Sequence, residues 1–77
     1  PVYPPVALSA RITGVVVVEA QTDIYGRVRT ARVITGHPLL NDAAVNAVKQ
    51  WIYEPYLLNG VPKPVVFTVT VTFSMNK

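Results

Sequence analysis

A chain of 77 residues is expected to form one domain, and at this length folding buries only about 60–65% of the unfolded surface. Hydrophobic residues make up 51% and charged residues 14%, enough apolar material for one sheet with a helix packed on it and little for a deep pocket. With no cysteine there is no disulfide or thiolate metal site; the net charge of +3 is too small to imply nucleic acid; and no run of about 18 apolar residues offers a membrane-spanning helix.

No signal-peptide pattern opens the sequence, and the start at Pro1 reads as a cut within something longer. The sequence opens PVYPP, three prolines in five residues, which predicts an extended arm over residues 1–4. Pro5 suits the first position of a short helix, PVALSAR. Ala7, Leu8, Arg11 and Ile12 would give it one apolar side, and Gly14 would end it. VVVVEAQT, residues 15–22, predicts a strand rich in β-branched residues. Val16, Val18, Ala20 and Thr22 share one face. Valines on the other face too, Val15 and Val17, point to a central strand.

Residues 23–26, DIYG, read as a turn in which Gly26 is free to take positive φ. The return strand is RVRTARVIT, 27–35, with apolar residues at Val28, Ala31 and Val33. That spacing breaks alternation once and predicts a bulge near Arg29–Thr30. Residues 36–38 are a loop and 39–51 the main helix, with Asn41 or Asp42 as N-cap. Leu40, Ala44, Ala47 or Val48, and Trp51 recur at helical spacing. Pro55 forbids continuation. Residues 56–64 read as a loop with a turn signal at Asn59-Gly60. Residues 65–75 alternate: Val65, Phe67, Val69, Val71, Phe73 and Met75 on one face, and Val66, Thr68, Thr70, Thr72 and Ser74 on the other.

The expected fold is α+β: a three-stranded antiparallel sheet of spatial order 2-1-3, a short N-terminal helix, and one main helix packed on one face. Residues 27–35 and 65–75 are then the two edges. The first carries Arg27, Arg29 and Arg32 and a bulge, devices that discourage stray pairing. The second carries no charge, proline or glycine. Such an edge invites aggregation unless pairing is its purpose, with a second copy of the domain or with a foreign peptide.

No catalytic set is visible. Glu19, Asp23, Asp42 and Glu54 are the only acids, and His37 is the only histidine, so neither enzyme, metal, cofactor nor small-molecule substrate is expected. Arg27, Arg29 and Arg32 beside Tyr25 could be a nucleic-acid face, but one aromatic and low charge favour a solvated edge. Trp51 and Tyr53 are expected as core aromatics that meet Phe67 and Phe73.

Several stretches together resemble the C-terminal domain of the TonB family of energy transducers. Pro1-Val2-Tyr3-Pro4 is similar to its Pro-x-Tyr-Pro arm. Ala7, Ile12-x-Gly14, the alternating valines and Tyr25-Gly26-Arg27-Val28 follow its helix–strand–hairpin pattern. Ala44, Val48 and Trp51-Ile52-Tyr53-Glu54-Pro55 are similar to its helix end, Trp-x-Tyr/Phe-x-Pro, and Asn59-Gly60 with a final alternating strand completes the match over nearly the whole chain. The resemblance implies a periplasmic domain that captures the TonB box of an outer-membrane transporter by β-augmentation. Its partner-binding residues would be Tyr3 and Pro4 in the arm, and Val65, Val66, Phe67, Thr68, Val69, Thr70, Val71, Thr72 and Phe73 in the edge strand. It also implies an inner-membrane anchor, the ExbB–ExbD motor and import of nutrients such as iron–siderophore complexes, all through parts outside this sequence. The alternative is an interaction or sensory domain of a membrane-anchored signalling protein, or a homodimerisation module, with no transporter partner. Glu54 is a further candidate contact.

Overall fold

The computed structural model describes residues 2–75. Pro1, the first residue of the expected arm, lies outside them. In chain order the elements are α1 (Pro5–Ser9), β1 (Gly14–Thr22), β2 (Val28–Thr35), α2 (Asn41–Gln50), β3 (Tyr56–Leu58), β4 (Val61–Lys63) and β5 (Val65–Phe73). The main sheet is antiparallel in the order β2-β1-β5, the 2-1-3 arrangement expected from the sequence.

Burial explains why β1 is central. Val16, Val18, Ala20 and Thr22 on one face are all buried, beneath Leu40, Ala44 and Val48 of the α2 region and Ala7 of α1. The opposite face is open: Val15 is 49% exposed, so the valines there mark a strand hydrogen-bonded on both edges, not one covered on both faces. Helix α2 lies over β1 and β2 rather than over β5.

The two flanking ladders differ. Between β1 and β5 the register runs unbroken from Gly14↔Phe73 to Thr22↔Val65. Between β1 and β2 it slips twice. Gln21↔Thr30 is followed by Thr22↔Val28, which leaves Arg29 as the extra residue at the bulge the sequence predicted. Val17↔Thr35 and Val18↔Val33 leave Ile34 unpaired in a second irregularity. No break in apolar spacing announces that one, because Ile34 faces solvent.

Helix ends depart from expectation in informative ways. Gly14 opens β1 and does not terminate α1. The helix stops at Ser9 through a Schellman motif: Ile12 N–H donates to the Ala7 carbonyl at 2.9 Å and Arg11 N–H to the Leu8 carbonyl at 3.1 Å. Arg11 occupies the position where glycine is usual, at φ +57°. Of the side chains expected on its apolar side, Ala7 is buried and Ile12 partly so, but Leu8 is 51% exposed because a helix this short turns only one residue fully inward. At α2, neither Asn41 nor Asp42 caps the N-terminus. Leu40 holds that position, and the Asn41 Oδ1 accepts the His37 N–H at 2.9 Å. The 37–40 turn, with Leu40 and Asn41 N–H groups both donating to the His37 carbonyl, delivers the chain into the helix.

Residues 56–64, expected as a loop, contain a small hairpin of β3 and β4. Asn59 and Gly60 take φ of +52° and +79°, the pairing that turns a two-residue hairpin with the twist of its strands. All of its ladder residues are exposed. Strand β5 ends at Phe73, two residues before the expected limit at residue 75.

Candidate edge-strand site

Strand β5 presents Val65, Phe67, Val69, Val71 and Phe73 on the helix side, with burial deepening toward Val71 and Phe73. Val66, Thr68, Thr70 and Thr72 stand on the exposed face. One side of β5 pairs with β1, and its other side has no strand partner among the described residues. In an antiparallel ladder, alternate residues direct their N–H and C=O to opposite sides. About half of the backbone polar groups from Val65 to Phe73 therefore point to the open edge. The strand has no bulge to twist that edge away, and no charge, proline or glycine to block it. The β2 edge has two irregularities, and its Arg32 Nε donates to the Glu19 Oε1 at 2.8 Å.

Tyrosines brace β5 at each end. At one end the Tyr3 ring meets Phe73 edge-on, with centroids 5.4 Å apart and planes at 84°, and its hydroxyl donates to the Ile12 carbonyl. The arm is thus strapped across the Phe73 end, with Pro4 half-buried beside it. At the other end Tyr53 packs edge-on against Phe67 at 5.0 Å and 75°. Only this aromatic pair matches the expectation for the 51–55 segment. Trp51 touches Tyr53 at 6.2 Å but is 40% exposed, because the helix ends at Gln50 and Trp51, already extended, swings clear of the sheet.

Tyr53 is itself held by the β1–β2 turn. The Asp23 Oδ1 accepts the N–H groups of Tyr25 at 2.8 Å and Arg27 at 3.0 Å, which shapes the turn. Gly26 then sits at φ +84° against the chain after the helix: Tyr53 N–H donates to the Gly26 carbonyl at 2.9 Å, and Arg27 bridges Ile52. A Cβ on Gly26 would lie 1.8 Å from the Tyr53 carbonyl oxygen. Composition and periodicity did not point to this junction. Its signal was the glycine after Tyr25, far in sequence from the segment it holds.

A cleft of about 630 Å³ opens at the Val65 end of β5, lined by Thr22, Tyr53, Glu54, Pro55, Tyr56, Leu57, Val65 and Phe67. The Tyr53 hydroxyl is buried with no hydrogen-bond partner among the described residues, and burial pushes its pKa above the ordinary phenol value. Glu54 is exposed on this cleft. His37 serves the 37–40 turn, its Nδ1 accepting the Leu39 N–H at 3.0 Å. Among the described residues no three His, Cys, Asp or Glu side chains gather as metal ligands.

An edge strand left open and braced by Tyr3 and Tyr53 is joined by a sequence match. The profile of the family described as Gram-negative bacterial TonB protein C-terminal matches residues 1–75. The chain belongs to this family. It is also 34% identical over 64 residues to protein TonB of Vibrio cholerae serotype O1, a match covering 80% of this chain and 26% of that protein. The chain thus spans about a quarter of the length of that curated relative. Membership of the TonB C-terminal family accords with the arm, hairpin and helix-end patterns from which the resemblance was drawn.

Proposed function

We propose that this domain captures an extended peptide of an outer-membrane transporter by adding it as a fourth strand on the open edge of β5. The observation that carries this reading is the edge itself: Val65 to Phe73 paired without a slip to β1, uncharged, and with no strand partner on its other side among the described residues. Backbone hydrogen bonds supply the grip in β-augmentation, and alternate side chains supply selectivity. About five bonds at roughly 0.5–1.5 kcal/mol each, less the cost of ordering the peptide, give weak to micromolar affinity. Such affinity suits a coupling that must engage and release. The Thr68, Thr70 and Thr72 hydroxyls lie on the exposed face and are available to the captured strand's neighbouring side chains. Tyr3 and Pro4 belong to the site through the strap at the Phe73 end, where a captured strand would run past the arm.

The match to protein TonB supports a place for this domain in the periplasm, as part of a longer protein anchored in the inner membrane and driven by an ExbB–ExbD motor. In that setting pulling on the captured strand couples the proton gradient to nutrient import. A nuclear magnetic resonance titration with TonB-box peptides tests the reading. Amide shifts concentrated on residues 65–73, with Tyr3 and its neighbours following, are the expected result. A folded, monomeric domain that responds to none of several boxes would contradict it. A free domain already dimeric through β5 would favour homodimerisation as the use of this edge.

A further inference from the structure

The cleft beside Val65 and Phe67 has a property that simple backbone capture does not use. Its walls are mostly apolar and aromatic, and one of them is Tyr53, whose hydroxyl is buried without a hydrogen-bond partner among the described residues. Buried polar groups in folded proteins are nearly always hydrogen-bonded, so an orphan beside a cleft points to a partner that arrives from outside. Helix α2 packs chiefly on β1 and β2, and the 53–57 segment contributes to the walls of the cleft at the Val65 end.

A strand added to the open edge would lie about 4.8 Å from β5, with every second side chain on the helix-side face. A long side chain on that face of the captured strand would reach the cleft. We infer that the cleft receives one such side chain, with an apolar stem and a neutral hydrogen-bond-accepting tip that meets the Tyr53 hydroxyl, glutamine fitting this description best. The inference rests on capture of a strand by β5. The stem packs on Phe67, Val65 and Leu57, and the carbonyl oxygen of an amide tip accepts a hydrogen bond from the Tyr53 hydroxyl. Glu54 on the cleft selects against an acidic tip, since a second carboxylate there meets like charge. The 53–57 segment would then set which peptides bind, as β5 sets that they bind.

The test uses nine-residue host peptides of alternating threonine and valine, flanked by polar residues, with glutamine, leucine, glutamate or alanine walked through each position. Affinities are read by titration against the wild-type domain, Tyr53→Phe and Glu54→Gln. At one position glutamine is expected to bind about three- to tenfold tighter than leucine, the range one neutral hydrogen bond gives. Tyr53→Phe keeps the ring on Phe67 and should erase that ratio. Glu54→Gln should bring the glutamate peptide toward the glutamine one. Host binding with no preferred position, or a preference that survives Tyr53→Phe, would overturn the cleft assignment and leave strand capture standing. No binding of any host to the folded monomer would overturn both.

Discussion

Gly26 and Tyr53 show how much rests on single residues here. Gly26 joins two conditions that alanine cannot meet: φ of +84° and a Cβ position already occupied by the Tyr53 carbonyl. Left-handed backbone alone costs a side chain about 1–2 kcal/mol. With the overlap added, Gly26→Ala should lose more than about 2 kcal/mol and lower the melting temperature by roughly 10 °C or more, measured by thermal unfolding. A variant that melts within a degree or two of wild type would show that the junction with residues 52–55 is dispensable. That Gly26 is free to take positive φ was legible in the sequence, because glycine adopts it without steric cost. What it packs against was not, since no local pattern reports a partner 27 residues away.

Tyr53 makes two further predictions at this scale. Its hydroxyl has no partner among the described residues, and an unsatisfied buried group costs about 1–3 kcal/mol, so Tyr53→Phe should hold or raise stability, by about 1 kcal/mol in denaturant unfolding. Burial raises its pKa above 10.0, which means the folded chain keeps the phenolic proton where the unfolded chain has released it. The corresponding stability is fully present below pH 10 and is lost as pH rises above it. Wild type should therefore lose stability through that alkaline range more steeply than Tyr53→Phe; parallel curves would contradict the assignment. The pairing of Tyr53 with Phe67 was legible as two aromatics that must share a small core. The exposure of Trp51 was not, because helical spacing counts it as a continuation of the Leu40–Ala44–Val48 stripe and cannot see the chain turn extended one residue earlier.

The elements divide into those that build the core and one that stands apart from it. Leu40, at the N-cap of α2, is fully buried, and Leu40→Ala should cost about 2–5 kcal/mol. Leu58 in the β3–β4 hairpin is half exposed and joins no core cluster, so Leu58→Ser should change stability by less than about 0.5 kcal/mol in the same unfolding assay. A large loss there would mean the hairpin packs on the body after all. Strand alternation made β1 and β5 legible almost to the residue, and the three-then-two spacing in β2 marked the bulge at Arg29. The β3–β4 hairpin was legible only as its Asn59-Gly60 turn. Its strands are three residues each, with Pro62 in one, too short for any periodicity to form.

At the scale of the whole molecule, topology converts these pieces into an asymmetric sheet. The β2 edge is bulged and arginine-bearing; the β5 edge is straight and bare. The order 2-1-3 could be read from the sequence because a crossover helix returns the last strand most easily beside the first. The family could be read because arm, hairpin and helix-end motifs fall in the same order across the chain, though each is weak alone. Backbone pairing carries little net charge, so peptide affinity should change less than about twofold between 0.05 and 0.5 M salt. A steep fall would instead assign the binding to the arginines of β2 and argue against β5.

Amide hydrogen exchange on the monomeric domain, with and without a TonB-box peptide, tests the central claim most directly. In the free domain the amides of Val65–Phe73 should fall into two alternating classes, protected where they face β1 and fast where they face the open edge. Peptide should protect the fast class and leave the amides of β2 unchanged. Protection that appears on β2 or the β3–β4 hairpin instead, with the outer amides of β5 still exchanging freely, would contradict capture at this edge.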